Sequence, residues 1–521
     1  MQMTHYRAPA RAGLALLLAA AVCGGAEATP APGPGPTPGQ GQDLPDIGTP
    51  ANSVLTSSDE YKIGTMVLRG LRDSGQILED PEVGEYLQSL GSRLASHAQE
   101  GTAHFTFFVV KDRSINAFAL PGGFVGVNAG LVLATASESE LAGVLAHEIS
   151  HVTQRHIARS IADQSRTSLV STAAMLAAIL LGAVSGNSNV GMAGVMAGQS
   201  AAVQHQLNFS RENEYEADRV GIGVLAAAGY DPHAMASFFE TLGRRMGSAG
   251  PNAKILEFLQ THPVTSGRVA ESRGRADAYP IVRPIDSTGY RLARERLRVM
   301  TLPSEVNPRD AYADAAAADG GVADYRYYGR ALALMQANAP VEAVPILRDL
   351  VTRHTDTIEY HTALGQALLA AGDEPGSREV LERAKELFPR NVPVTVRYAE
   401  TLLRAGDARL AHSVLLDLFN AVPPTQPQVR LIALAASAAG EAAEANYYMA
   451  EYHVMSGDLT LAIETLRQAL ATPTITPMQR SRFKARIDEL KEYLPPRLQA
   501  ALERGEPLPM PPPAPPGGQG R

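Results

Sequence analysis

Most of the chain has apolar residues at helical spacing, but a short stretch around residue 110 has the character of β-strands. Residues 105–110 read FTFFVV, which is aromatic and β-branched. Residues 116–132, NAFALPGGFVGVNAGLV, continue this character on both sides of a Pro-Gly-Gly turn. The pattern predicts a hairpin or a three-stranded sheet within an otherwise helical domain that runs from residue 52 to residue 300.

Two helices that follow this sheet are predicted from their periodicity and end signals. The first has a Thr-x-x-Glu capping box at Thr135 and Glu138, ahead of apolar residues at helical spacing. Those apolar residues are Leu141, Val144, Leu145, Ile149 and Val152. The second helix is predicted over residues 210–228, and it ends at Gly229 because glycine readily adopts the backbone conformation that terminates a helix.

A repeat occupies residues 325–494. Helix-hairpin turns recur at 34-residue intervals, at residues 338–339, 372–373, 406–407 and 440–441, and a last turn at residues 457–458 is out of phase by half a repeat. Period, paired helices and small-residue positions together resemble the tetratricopeptide repeat. Such hairpins stack into an α-solenoid whose concave groove suits extended or helical protein segments.

The ends of the chain and the junction between these two parts differ in composition. Residues 1–28 have the features of a cleaved signal peptide, because Arg7 and Arg11 precede an apolar run and Ala-Glu-Ala at residues 26–28 fits a cleavage site. The apolar run, residues 12–22, is too short to span a bilayer. The remaining segments are a Pro/Gly-rich spacer at residues 29–51, a linker at residues 301–324 and a Pro-rich disordered tail at residues 495–521.

Cysteine content and charge restrict the chemistry further. The single cysteine, Cys23, lies in the predicted signal peptide, and lipidation there is disfavoured because the preceding Val22 is not small. After cleavage no thiol remains, so a metal site must use histidine and carboxylate groups. The formal net charge of -8, without a cluster of lysine and arginine, argues against nucleic-acid binding.

Residues 169–203 form an alanine-, leucine-, methionine- and glycine-rich run. Its longest apolar part, residues 169–184, falls short of a membrane-spanning helix. Two interpretations stay open. The run is either a helical hairpin packed over the domain or a flap that makes peripheral contact with lipid or with an apolar substrate.

The motif with the clearest chemistry is HEISH at residues 147–151. His147 and His151 are four residues apart, so both imidazoles leave the same face of the predicted helix and can share one metal ion. Zinc held there lowers the pKa of a bound water, and Glu148 can take the proton of that water during attack on a peptide carbonyl. The pattern indicates a zinc metalloendopeptidase.

The next histidine along the chain is a poor third ligand. His156 lies five residues past His151, about 140° around a continuous helix, so it faces away from the ion. The metzincin pattern also fails, because Gln154 and Ile157 stand where it needs glycine and histidine. We interpret His156 as a structural or supporting group.

Better candidates lie on the second helix, in SRENEYEADRVG at residues 210–221. Glu214 and Asp218 share a face at a spacing of four residues. One of these carboxylates can complete the metal site, while the other orients a ligand or handles a proton. The spacing alone does not say which does which.

Taken together, HEISHVTQRH, NEYEAD and THPVTSGR resemble the HtpX-like and CAAX prenyl protease family of zinc metallopeptidases. The resemblance implies a mainly α fold: a helical, gluzincin-type protease domain with a small β-sheet, followed by the tetratricopeptide solenoid. It implies that His147, His151 and Glu214 bind one Zn²⁺, that Glu148 is the base, and that Asp218 is the family's second acid. We expect Asp218 to hold a ligand histidine.

The same resemblance gives roles to two residues further along the chain. His262, in Thr-His-Pro, is expected near the metal, where it replaces the water and keeps the enzyme latent or steadies the oxyanion; we hypothesise latency. Arg268 is a second candidate for an oxyanion contact.

The resemblance also implies substrates and location. Residues 120–127 are expected to be an edge strand beside the metal, to which unfolded or misassembled protein chains add as another strand. The expected setting is the periplasm, with contact to the outer-membrane β-barrel assembly complex through the repeats. There the protein degrades misassembled envelope proteins and assists assembly as a chaperone. The rival interpretation is a tetratricopeptide scaffold or chaperone with a latent protease domain.

Overall fold

The computed structural model describes residues 55–98, 104–162, 210–248, 258, 262–282, 284–314, 323–494, 496–504 and 506. The predicted signal peptide, the spacer, residues 169–203, residues 315–322 of the linker and residues 495, 505 and 507–521 of the tail lie outside the described residues. The first part of the segment predicted to be a disordered tail instead forms a helix, Pro496–Glu503. Within the described ranges, no helix combines the length and the apolar character needed to cross a bilayer.

The first part of the chain is helical around one small sheet, as predicted. Its elements are α1 (Ser57–Asp73), α2 (Pro81–Ala95), β1 (Thr106–Val110), β2 (Ala117–Leu120), β3 (Phe124–Asn128), α3 (Ala129–Ala134), α4 (Glu138–Thr153), α5 (His156–Ala162), α6 (Arg211–Ala227), α7 (Ala234–Ser248), α8 (Ser266–Ala276) and α9 (Thr288–Met300).

The sheet has three strands, with β3 in the centre. β1 pairs with β3 in parallel and β2 pairs with it antiparallel. Gly122 and Gly123 make the turn between β2 and β3 with φ of +82° and +87°, a conformation that favours glycine. The edge strand was therefore placed wrongly, because residues 124–127 belong to the central strand and the edges are β1 and β2.

Helix α4, which carries the HEISH motif, begins two residues later than its predicted capping box. Ser137 is the N-cap, and its hydroxyl accepts a hydrogen bond from the Glu140 amide at 3.3 Å. Thr135 instead ends α3, where its hydroxyl donates to the Val132 carbonyl at 2.9 Å. The prediction for α6 is confirmed, with Ser210 as its N-cap and Gly229 at φ +81° just beyond its end.

The core of this part lies between α2, the sheet and helices α4, α6 and α7. Its fully buried side chains include Leu94, Val125, Leu145, Leu225 and Phe238. Each such side chain stabilises the fold by about 1.5–3 kcal/mol relative to an exposed one. Helix α4 is buried along almost its whole length, so the motif residues sit on a rigid support.

The second part consists of helical hairpins, which confirms the predicted α-solenoid. After a short 3-10 helix, Asp310–Tyr312, the helices are α10 (Asp324–Gln336), α11 (Pro340–Arg353), α12 (Ile358–Ala370), α13 (Glu374–Leu387), α14 (Val392–Arg404), α15 (Ala408–Phe419), α16 (Gln426–Ala438), α17 (Ala442–Met455), α18 (Leu459–Leu470), α19 (Pro477–Glu492) and α20 (Pro496–Glu503).

Four of these turns lie at the 34-residue intervals that the sequence predicts, and the last turn, at Gly457, lies half a repeat after Gly440. Asn338, Gly372, Gly406, Gly440 and Gly457 all have positive φ, between 56° and 84°. Each of these turns therefore has one residue in the left-handed conformation. At four of the five positions that residue is glycine, which adopts this conformation without strain.

Candidate metal centre

The two histidines of the motif meet on one face of α4. His151 Nε2 lies 3.0 Å from His147 Nε2, and both side chains are buried. The i,i+4 spacing on a regular helix produces this approach, as the sequence predicts.

Glu214 on α6 reaches the same point. Its Oε2 lies 3.6 Å from His147 Nε2 and its Oε1 lies 3.5 Å from His151 Nε2. Helices α4 and α6 can approach this closely because Gly221 has no side chain: a Cβ there would lie 3.1 Å from the His147 backbone nitrogen.

The imidazole of His262 completes the cluster. Its Nδ1 lies 3.3 Å from His147 Nε2 and 3.0 Å from Glu214 Oε1. One ligand atom from each of His147, His151, Glu214 and His262 lies within 4.8 Å of all the others.

The separations within this cluster fit one zinc ion. Tetrahedral zinc with bonds near 2.0 Å keeps its ligand atoms about 3.3 Å apart, close to the distances in the cluster. Three imidazoles and one carboxylate are also a ligand set that zinc prefers.

The electrostatic environment of the cluster favours a cation. Burial alone would lower the pKa of His147, but Asp218 and Glu214 outweigh it and raise that pKa to about 10. The same carboxylate field that attracts a proton to this imidazole attracts a metal ion.

Asp218 supports His147 from behind. Its Oδ1 lies 2.9 Å from His147 Nδ1, the nitrogen that points away from the cluster. A carboxylate there fixes the proton on Nδ1 and leaves the Nε2 lone pair directed at the ion.

Arg268 contacts two of the acids on α6, Glu214 and Asp218. Its Nε and Nη2 donate to the two oxygens of Asp218, each at 2.8 Å, and its Nη1 lies 2.7 Å from Glu214 Oε2. The guanidinium is 2% exposed. These contacts favour a supporting role for Arg268 over the oxyanion contact, which stays a prediction.

Glu148 lies beside the cluster with both carboxylate oxygens buried and without a hydrogen bond of good geometry to the residues that the structure describes. Burial raises its pKa, against the opposing effects of His262, His147 and the Ala119 backbone. A buried carboxylate with a raised pKa is a stronger base than an exposed one and suits proton transfer.

His156 stays outside the cluster, as predicted, but for a different reason. Helix α4 ends at Thr153, and Arg155 has a left-handed φ of 51° that breaks the helix. The chain therefore turns back, and His156 Nδ1 lies 2.9 Å from His151 Nδ1. Burial lowers the pKa of His156 to about 4.

Phe258 is a further site residue that sequence reasoning missed. It is fully buried, and its ring stacks on His262 with centroids 4.9 Å apart. Its carbonyl accepts a hydrogen bond from the His262 amide at 2.8 Å. The four-residue spacing between the two aromatic rings was the only signal in the sequence.

The histidine pair, the glutamate between them and the acid from a second helix define a zinc metalloprotease with a helical core. The chain belongs to peptidase family M48, whose sequence model matches residues 81–276. It is similar to the putative beta-barrel assembly-enhancing protease of Vibrio cholerae, with 35% identity over 86% of this chain and 92% of the relative.

Two other relatives extend this likeness. The beta-barrel assembly-enhancing protease of Escherichia coli K12 is 33% identical over 86% of this chain and 91% of its own length. The mitochondrial metalloendopeptidase OMA1 of Arabidopsis thaliana is 30% identical over 41% of this chain and 40% of its own length.

Proposed function

We propose that this zinc metalloprotease is exported to the periplasm, acts in the assembly of outer-membrane β-barrel proteins and degrades those that misassemble. The convergence of four ligand atoms beside the buried Glu148 is the observation that carries the proteolytic part. The predicted signal peptide and the names of the V. cholerae and E. coli relatives support the setting.

In the proposed site, His147, His151 and Glu214 hold the zinc ion and Glu148 takes a proton. Zinc supplies Lewis acidity to a water molecule and to the substrate carbonyl. Asp218 orients His147 through the 2.9 Å contact to Nδ1. The buried, rigid α4 keeps Glu148 next to the ligands.

The edge strand β2 is proposed to receive the substrate. It packs against α4, and its Ala119 backbone is close enough to influence the pKa of Glu148. An extended chain added to β2 would run beside the base. Most extended segments of a folded protein are already paired within its own sheets. This geometry therefore favours unfolded or misassembled chains as substrates.

His262 is proposed to keep the site latent as a fourth ligand. Its Nδ1 lies 3.3 Å from His147 Nε2 and 3.0 Å from Glu214 Oε1, and the Phe258 ring stacks on its imidazole. The Phe258 amide also donates to the Ile115 carbonyl at 3.2 Å, just before β2 begins. Displacement of His262 and Phe258 would free both a coordination position and the approach to the edge strand.

The repeats at residues 325–494 are proposed to recruit substrates or the β-barrel assembly complex and to assist assembly as a chaperone. The division into a protease domain at residues 52–300 and the repeat domain stays our proposal. Peripheral membrane contact through residues 169–203 falls outside the described residues and stays a prediction. The scaffold-only alternative gains no support from the relatives, which are named as proteases.

The test is metal analysis of the purified protein together with casein cleavage, with and without a chelator. We expect one zinc ion per chain and cleavage that a chelator abolishes and zinc restores. Glu148→Gln should keep its zinc and lose about 10²–10⁴ in kcat. A protein without zinc, or a variant with full activity, would refute the proposed protease. A cell in which Glu148→Gln supports normal β-barrel assembly would favour the scaffold.

A further inference from the structure

Behind His151 lies a chain of contacts that joins three helices. His151 Nδ1 lies 2.9 Å from His156 Nδ1 at the start of α5, and His156 Nε2 lies 3.1 Å from Glu216 Oε2 on α6. Arg159 Nη2 donates to the same Glu216 oxygen at 2.8 Å. The His156 side chain is fully buried, while that of Glu216 is 27% exposed.

Each contact in this chain restricts where a proton can reside. An ionised Glu216 only accepts hydrogen bonds, so His156 must carry its proton on Nε2. The Nδ1 atom of a neutral His156 then accepts, and His151 must donate from its own Nδ1. This arrangement leaves the lone pair of His151 on Nε2, the atom that faces His147 and Glu214.

We propose that His156 and Glu216 are positioning residues that fix the tautomer and ring orientation of His151 for metal binding. The inference rests on the proposed zinc site. The two ligand histidines thereby receive different supports: His147 is backed by the carboxylate of Asp218 and His151 by a neutral imidazole.

The backbone is shaped to deliver His156 to this position. Arg155, in its left-handed conformation, reverses the chain direction directly before His156. Its guanidinium is held at the start of α1: Nη2 donates to the carbonyl of Leu55, just before that helix, at 2.8 Å and lies 3.3 Å from Glu60 in its first turn. A continuous α4 would have carried residue 156 to the other side of the helix.

The experiment measures zinc affinity by competition with a chromophoric chelator, and the absorption spectrum of the cobalt-substituted protein. His156→Phe keeps a planar ring and removes the acceptor, and we expect it to weaken zinc binding about 10–100-fold and to alter the cobalt spectrum. His156→Asn returns an acceptor oxygen near the position of Nδ1, so we expect it to recover most of the affinity. Glu212→Gln, which changes an exposed acid on α6, the helix that carries Glu216, is the matched control and should bind zinc as the parent protein does.

The outcomes separate this inference from the proposed function. If the parent protein binds no zinc, the proposed function fails. If the parent binds zinc and folded His156→Phe binds it equally well with an unchanged cobalt spectrum, only the positioning role is overturned. Should His156→Phe not fold, Glu216→Leu decides, because its partly exposed side chain tolerates substitution: weaker zinc binding supports the role, and parental affinity refutes it.

Discussion

Glu82, in the first turn of α2, and Arg397, on the repeat helix α14, form a buried ion pair with contacts of 2.9 and 2.7 Å. Arg296 on α9 lies 3.1 Å from the same carboxylate and donates to Asp80 at 2.7 and 2.8 Å. Because α2 packs against α4, this charge cluster links the repeats to the helix that carries the histidines.

This cluster predicts a loss of stability in acid. Burial alone would raise the pKa of Glu82, but Arg296 and Arg397 outweigh it and lower the pKa from 4.5 to about 2. A lowered folded-state pKa contributes stability above pH 4.5, and that contribution of about 3 kcal/mol is lost as the pH falls towards 2. Urea unfolding at pH 7, 4.5 and 3 measures it.

Glu82→Gln should flatten this pH dependence and lower stability at pH 7, because it leaves two buried guanidiniums short of a negative charge. Glu379→Gln, at an exposed position on α13, is the control and should follow the parent protein. If the stability of Glu82→Gln still falls as steeply in acid as that of the parent protein, the loss of stability in acid does not come from Glu82.

The approach of α6 to α4 gives a steric prediction. A methyl group at Gly221 would lie 3.1 Å from the His147 nitrogen and 3.2 Å from the Ala146 carbonyl carbon, and neither backbone atom can move alone. Gly221→Ala should destabilise the protein by about 1–3 kcal/mol and weaken zinc binding, because Glu214 moves away with its helix. Thermal unfolding and chelator competition measure both effects.

Gly223, two residues later on the same helix, is the matched position. Its nearest atom to an added Cβ is Tyr279 Oη, at an ordinary contact distance of 3.4 Å. Gly223→Ala should therefore leave zinc binding intact and stabilise the helix by about 0.5–1 kcal/mol. Equal effects at the two positions would show that helix propensity, and not the contact between α4 and α6, governs this region.

The sequence predicts most reliably what depends on neighbouring residues. The face shared by His147 and His151 follows from a four-residue spacing, and the repeat turns follow from a fixed period. For the third metal ligand, the spacing left two candidates, Glu214 and Asp218. The family resemblance then selected Glu214. The sequence did not predict that His156 contacts His151. That contact requires the left-handed conformation of Arg155, which is held by Leu55 and Glu60, about a hundred residues away in the chain.

Removal of His262 distinguishes its two proposed roles. If the imidazole holds the site latent, His262→Ala should increase cleavage of unfolded casein, since a coordination position becomes available. If it steadies the oxyanion, the same variant should lose about 10²–10³ in kcat. The rates are compared at equal zinc content. His233→Ala, which removes a histidine paired with Asp277 outside the site, should behave as the parent protein.

A substitution at Asp218 can show whether this residue orients the ligand His147 or donates a proton during the reaction. Both its oxygens accept from Arg268 and one contacts His147, and these partners lower its pKa although burial opposes them. It therefore stays ionised at neutral pH and has no proton to give. Asp218→Asn should weaken zinc binding about 10–100-fold, with kcat largely restored by excess zinc and the alkaline limb of its pH profile unchanged. A kcat that stays low at saturating zinc, with that limb lost, would instead assign proton donation to Asp218.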